Sequence, residues 1–369
     1  MRLHLYFARK FAVAFAGIAG VFALIITLLD MVEQLRRFDA SEIALSGALE
    51  LALLSMPQAL YRTFPLLALL ATLVLFLGLA RSSELVVTRA AGRSALRALV
   101  APVAVAALIG AAGVALLNPV VAATLARYEA RAAQISADGG SVLSVSPEGL
   151  WLRQGGAEGQ TVIRAERANA DGTVLRRVTF LEFGPPGDRA RAGPQRRIEA
   201  ASAELAPGAW ALRDAKLWRL DRPNPEAEAR QMAQLRLPTT LTRERIRDSF
   251  GPPASVPVWD MPAYIDNLAQ AGFSARLHRV WFQMELALPL FLAGMVMVGA
   301  GFTMRHTRFG RTGQMVMLAL AMGFAIYFIR NFAQILGENG QIPVALAAWS
   351  PPVAAILLSL GLLLHLEDG

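Results

Sequence analysis

Leu66-Leu67-Ala68-Leu69-Leu70-Ala71-Thr72-Leu73-Val74-Leu75-Phe76-Leu77-Gly78-Leu79-Ala80, followed at once by Arg81-Ser82-Ser83-Glu84, is the stretch that decides the fold. It ends an apolar run over about 58–80. About 20 such residues suffice for a helix to cross the hydrocarbon core of a bilayer, where the backbone has to satisfy its own hydrogen bonds. Similar runs lie at about 11–32 and 96–117 before a polar, Gly- and Pro-punctuated block of roughly 160 residues, and at about 280–303, 313–336 and 343–365 after it. The pattern is that of an α-helical membrane protein with six transmembrane helices and one large insert between helices 3 and 4.

Composition agrees. Hydrophobic residues make up 55% of the chain, charged ones only 17%, and the mean hydropathy is +0.43, on the membrane side of soluble usage. A net charge of +8 would suit an anionic partner, but much of it flanks the spans, where topology explains it, so nucleic acid is not the partner indicated. With no cysteine there is no disulfide, thiol nucleophile or cysteine metal site. Arg9 and Lys10 ahead of Ala14-Phe15-Ala16 give the start the look of a signal peptide. The apolar stretch before that triplet is too short for one and the run continues to Leu29, so the first span is expected to be retained.

Lys and Arg in the short loops set the orientation. With the N-terminus in the cytoplasm, inner segments hold Arg2, Arg9 and Lys10, then Arg81, Arg89, Arg93 and Arg97, then Arg305, Arg308 and Arg311. The short outer loops hold mainly Arg36 and Arg37, with Arg62 near a helix end. Both termini are expected in the cytoplasm and the insert on the opposite side, which in a bacterium is the periplasm.

Within the insert, short β-rich segments at 141–146, 149–153, 161–165, 173–183, 197–205 and 209–220 are separated by Gly155-Gly156, Asp171-Gly172, Gly184-Pro185-Pro186-Gly187 and Pro207-Gly208. Strands at this spacing suggest a β-sandwich or jelly roll. A partly open inner face could hold acyl chains; a closed core is the more ordinary outcome. Pro252-Pro253, Pro257 and Pro262 mark a linker, and a helix at about 261–271 brings the chain back to the membrane. The expected organisation is therefore helices 1–3 over 1–130, a β-jelly-roll-like domain over 131–260, and a linker helix with helices 4–6 over 261–369.

Catalytic signatures are missing. Neither Lys10 nor Lys216 stands in a Gly-x-x-x-x-Gly-Lys-Ser/Thr context, so the chain has no P-loop of its own. The four histidines, His4, His278, His306 and His365, are isolated, without His-Glu-x-x-His or a carboxylate cluster, and no Gly-x-Ser-x-Gly elbow occurs. A chain that moves or binds something is indicated, with no catalytic residue, metal or cofactor of its own.

The positive signal is the cytoplasmic segment between spans 2 and 3, Arg81-Ser82-Ser83-Glu84-Leu85-Val86-Val87-Thr88-Arg89-Ala90-Ala91-Gly92-Arg93-Ser94. Ser82 or Ser83 can cap a short helix over about 82–92, Glu84 suits its first turn and Gly92 its end. Lying along the membrane, such a helix is the shape needed to rest in the groove of a soluble motor domain. The same residues read equally as a solvated connector carrying positive-inside charge.

Ser83-Glu84-Leu85-Val86-Val87, the following Ala91-Gly92, and Gly149-Leu150-Trp151 resemble the lipopolysaccharide-export permeases of the LptF/LptG family, on its LptG branch. Met31-Val32-Glu33-Gln34-Leu35-Arg36-Arg37 and Phe64-Pro65 add to the likeness, which runs in order along essentially the whole chain. The resemblance implies a subunit of an ABC transporter in the bacterial inner membrane. It would pair with an LptF-type permease, be driven by a dimer of an LptB-type ATPase that binds ATP and Mg, and pass lipopolysaccharide through the jelly roll to an LptC-type periplasmic protein. It also implies that Glu84, Leu85, Arg89 and Gly92 belong to a coupling helix docked on the ATPase.

Lipopolysaccharide carries phosphates and acyl chains, so its cavity should join apolar walls to Arg forks near the outer face. Arg36 and Arg37 match basic positions of the family, and Arg62, Arg127 and Arg131 lie at comparable depth. Snorkelling to headgroups, or pairing with Asp30, Glu33 or Asp39, would explain these side chains without substrate. Two residues depart from the family: Asp30 stands where a basic residue is frequent, and Arg330 where an acidic one is common. A swapped intramembrane pair between them would reconcile both. A membrane-anchored periplasmic scaffold without a motor is the alternative from a different class, but it leaves the Glu84 segment without a role. A lipoprotein-release type of permease, with its usual four spans, fits the six runs poorly.

Overall fold

The computed structural model describes residues 2–37, 44–84, 94–135, 143–146, 149–156, 159–169, 172–184, 193–242, 246, 252–270, 274–304 and 312–368. They form two compact units: Met1–Ile135, Ala254–Trp259 and Arg276–Gly369 make the helical one, and Ser136–Pro253 with Asp260–Ala275 the β-rich one. The helix at 261–270 thus groups with the β-rich unit, not with the last three spans as the sequence division at residue 260 had it.

In the helical unit, α1 runs over Arg2–Arg37 and α2 over Leu45–Arg81. At about 1.5 Å per residue the 36 residues of α1 reach about 54 Å, well beyond a hydrocarbon core of about 30 Å, so the helix continues past the apolar run into polar turns. The third span comprises α3 (Ala95–Ala112), a π-helical segment (Gly113–Leu117) and α4 (Asn118–Ile135). Ser94 starts it by accepting a hydrogen bond from the Arg97 amide through Oγ, at 3.3 Å. After the β-rich stretch come α5 (Met261–Gln270), α6 (Arg276–Leu286), α7 (Leu288–Thr303), α8 (Thr312–Glu338) and α9 (Val344–Asp368).

α6 and α7 meet at 52°, and with that bent pair taken as one span the described residues hold six spans, as the sequence indicated. The bend has a local cause. Pro289 has no N–H to give the Glu285 carbonyl four residues earlier, and its ring crowds that oxygen.

α7 is the centre of the unit, buried almost along its whole length. Small residues let its neighbours approach: a Cβ at Gly299 would lie 2.9 Å from Thr72 Cγ2, and one at Gly110 of α3 only 2.6 Å from Pro289 Cα. By contrast α1 and α8 bury only 6% and 17% of their most apolar windows, leaving faces such as Val13, Val21, Leu24 and Leu28, or Met317, Phe328 and Phe332, for lipid or another chain.

The β-rich unit is one antiparallel sheet of seven strands in sequence order: β1 (Leu143–Ser146), β2 (Gly149–Gly156), β3 (Gly159–Ala168), β4 (Val174–Phe183), β5 (Pro194–Ala206), β6 (Ala209–Arg219) and β7 (Arg230–Pro238). A jelly roll would carry crossovers between two sheets; here every described strand pairs with its sequence neighbour. The inner face is creased. Buried positions skip three residues instead of two from Leu175 to Val178, Ala200 to Ala203 and Leu212 to Ala215, on three adjacent strands, and Arg177 (φ 49°) and Asp214 (φ 51°) take left-handed backbone at the crease. The fold so made closes the core. Leu150, Leu152, Ile163, Phe180, Ile198 and Trp210 are at most 1% exposed, each contributing about 1.5–3 kcal/mol by burial. This is the closed packing, with no open apolar face at these positions. Met261, Ile265 and Leu268 of α5 line one side of their helix and are buried too.

Candidate functional site

At the end of α2, Ser83 takes left-handed backbone (φ 56°) and turns the chain, and Glu84 follows. Its carboxylate is held by the first span: Tyr6 Oη donates to Oε2 at 2.8 Å, and Lys10 Nζ reaches Oε1 at 3.1 Å and Oε2 at 3.2 Å. Ser82 Oγ donates to Oε1 at 2.9 Å, and the Lys10 ammonium lies 4.5 Å from the centre of the Tyr6 ring. Partial desolvation disfavours the Glu84 charge, but the hydrogen bonds from Lys10, Tyr6 and Ser82 outweigh it and hold the carboxyl below its ordinary value. Glu84 is thus ionised at neutral pH and joins the first span to the end of the second. Leu85, Arg89 and Gly92, expected on the same coupling helix, lie outside the described residues.

The opposite end of α1 carries the predicted basic residues. Gln34, buried, donates to Tyr128 Oη of α4 at 3.2 Å, and Arg37 donates to the same oxygen at 3.3 Å. Arg131 stands 3.7 Å from Glu50 of α2, both about half exposed, a pair worth no more than about 1 kcal/mol. Arg36 and Arg127 are exposed, with no ion pair or hydrogen bond among the described residues. Arg62 is exposed as well; its carbonyl accepts from Tyr327 at 3.5 Å. Arg36, Arg37, Arg127 and Arg131 therefore come from the facing ends of α1 and α4, whereas Arg62 is placed toward α8.

The expected Asp30–Arg330 pair does not form. Asp30 accepts a hydrogen bond from Ser55 of α2, and the Arg330 guanidinium lies 5.3 Å over the Phe291 ring, with Glu285 as its carboxylate neighbour. Glu285 is 6% exposed and accepts from Tyr61 Oη and, at 3.3 Å, from Asn118 Nδ2. The physical reason for the difference is that an acid already stands one turn before Pro289, on the bent span against α8, and this carboxylate, not Asp30 of α1, neighbours Arg330. The signal for it is in the sequence, since Glu285 is an acidic residue inside the apolar run 280–303. No cluster of metal-ligating side chains forms among the described residues.

The described residues thus hold six spans, an inserted sheet and a carboxylate-anchored turn after the second span. The family described as lipopolysaccharide export system permease LptF/LptG matches residues 5–365. The chain belongs to the LptF/LptG family. Among its relatives, the lipopolysaccharide export system permease protein LptG of Escherichia coli strain K12 is 25% identical over 357 residues, covering 92% of this chain and 91% of that protein. LptG of Haemophilus influenzae is 23% identical over 370 residues, covering 95% and 96%. Within the LptF/LptG family this chain is LptG-like, and it is a multi-pass membrane protein.

Proposed function

We propose that this chain is the LptG-type permease subunit of an ABC exporter that extracts lipopolysaccharide from the bacterial inner membrane. An LptF-type permease is its partner in the membrane, a dimer of an LptB-type ATPase binds ATP and Mg below it, and an LptC-type periplasmic protein receives the lipid. Family membership supports the substrate. The positive-inside distribution supports cytoplasmic termini and a periplasmic sheet. The uncovered faces of α1 and α8 leave room for the second permease and for lipid. Work is done by rigid-body movement of the spans, and this chain supplies no hydrolytic site.

The observation that carries this reading is the anchoring of Glu84. A push on the cytoplasmic segment reaches α2 through the backbone and α1 through Lys10 and Tyr6 at the same time. Arg36 and Arg37, at the far end of α1, are then placed to grip lipopolysaccharide phosphates, with Arg62, Arg127 and Arg131 as further contacts. The test is charge reversal at the grip. With Arg36→Glu and Arg37→Glu together, two charge-assisted contacts are lost, and ATP-dependent release of lipopolysaccharide from proteoliposomes is expected to fall about tenfold or more, with the ATPase still bound. Unchanged release would assign these side chains to lipid headgroups instead.

A further inference from the structure

The described helical unit holds a second polar assembly, away from both ends of α1. Its centre is Glu285, buried in a bundle where an ionised side chain is costly unless compensated. Tyr61 of α2 and Asn118 of α4 both donate to the same carboxylate oxygen, Oε2, and Arg330 of α8 acts on it electrostatically. Asn118 has a second role: its Oδ1 accepts the Val258 amide at 2.9 Å, in the segment Ala254–Trp259 that follows the β-rich stretch along the chain. One residue on, Trp259 donates its indole N–H to the Ala115 carbonyl at 3.1 Å.

Two irregularities meet here. Ala115 lies in the π segment Gly113–Leu117, which ends at Asn118, and such an inserted residue turns the side chains that follow it. Gly113 lets Tyr61 come close, since a Cβ there would lie 3.3 Å from the ring. On the other side, Glu285 stands four residues before Pro289, where the fourth span bends by 52°. The polar chain therefore runs from a break in the fourth span, through Asn118, to the segment leading back into the membrane.

We propose that Glu285 and Asn118 are positioning residues of the transport cycle, a latch that holds the segment Ala254–Trp259 to the bent fourth span so that the two move together. This rests on the permease reading above. A bent span is a place where two rigid halves can rotate, and a segment bonded at the bend follows that rotation without a new contact. Both residues are buried and act through the segment they hold.

The absence of native cysteine makes the test direct. In the complex with its ATPase, in proteoliposomes containing lipopolysaccharide, the variant with Asn118→Cys and Val258→Cys has lost the hydrogen bonds when reduced. Release is expected to fall about tenfold, the scale of a coupling between sites, and to return nearly to the wild-type rate once copper phenanthroline with air oxidises the pair to a disulfide or a short bis-methanethiosulfonate bridges it. A second variant, Asn118→Asp, should show a similar loss and recover when Glu285→Gln is added, because the glutamine amide can then donate to the new carboxylate. Wild-type release from the reduced cysteine variant, or no recovery on bridging, would overturn the latch. ATP-independent behaviour of the wild-type chain in the same vesicles would overturn the permease reading and the latch with it.

Discussion

Replacing Glu84 by lysine is expected to abolish lipopolysaccharide export while the chain still inserts. The carboxylate accepts from Tyr6, Lys10 and Ser82. In the Glu84→Lys variant Tyr6 and Ser82 lose that acceptor and two ammonium groups confront each other where Lys10 and Glu84 now sit 3.1 Å apart. The direct stability effect is small, about 1 kcal/mol, because both side chains are more than a third exposed. The functional effect is large, because α1 is cut loose from the turn that the ATPase would push, and the negative charge offered to that partner is reversed. Loss of the ATPase on detergent extraction, together with loss of export, is the expected result; normal copurification and full export would remove Glu84 from the coupling role. The pH dependence has a definite sign. A carboxyl whose folded value is depressed stabilises the knot above its ordinary range and loses that contribution only as pH falls through the lowered value, so coupling should persist through mildly acidic conditions.

The second large effect is on the bundle itself. Gly110→Val places a branched side chain where a Cβ alone would lie 2.6 Å from Pro289 Cα and 3.0 Å from its nitrogen. These are backbone atoms that no rotamer change can move, so α3 and α7 have to part. Overpacking of this kind costs about 1–3 kcal/mol or more, and α7 is the helix on which the unit is assembled. A strongly reduced yield in the membrane and a lowered thermal midpoint in detergent are expected. Gly20→Val is the matched control for packing within the chain, because nothing lies within 4 Å of a Cβ there, and it should keep the wild-type yield and thermal midpoint.

The apolar runs were enough to place the spans, because bilayer crossing demands length and hydropathy that few other structures need. They do not reveal how far the helices extend past the membrane: the last turn of α1 is polar, and the Leu- and Ala-rich first turns of α2 are interrupted by Glu50 and Pro57, so neither end is marked by hydropathy alone. β7 escaped notice for a related reason: Arg230, Gln231, Gln234 and Arg236 are exposed and only Leu237 is buried, as suits an edge strand that ends at Pro238. The crease at Arg177 and Asp214 was equally hidden, because neither residue type advertises left-handed backbone as glycine does.

The candidate sites were legible in part. Glu84 stood out by its place at the end of a span, but its partners Tyr6 and Lys10 come from 78 and 74 residues earlier, a separation that only packing of α1 on α2 closes. Arg330 is visible as a charge in an apolar run, but the sequence points to Asp30 as its counter-charge, because Glu285, the carboxylate that neighbours it, sits near the start of its own span, where an acid reads as a helix end. The Asn118–Val258 bond joins residues 140 apart, and no local pattern foretells it.

The most direct test of the whole reading is reconstitution. The chain should be purified from its native membrane in mild detergent, its copurifying proteins identified, and the complex placed in vesicles containing lipopolysaccharide with a periplasmic acceptor outside. Copurification of a nucleotide-binding subunit, with lipopolysaccharide reaching the acceptor only when ATP is hydrolysed, is the result predicted. A chain that purifies without such a subunit, or transfer that proceeds equally without ATP, would contradict it.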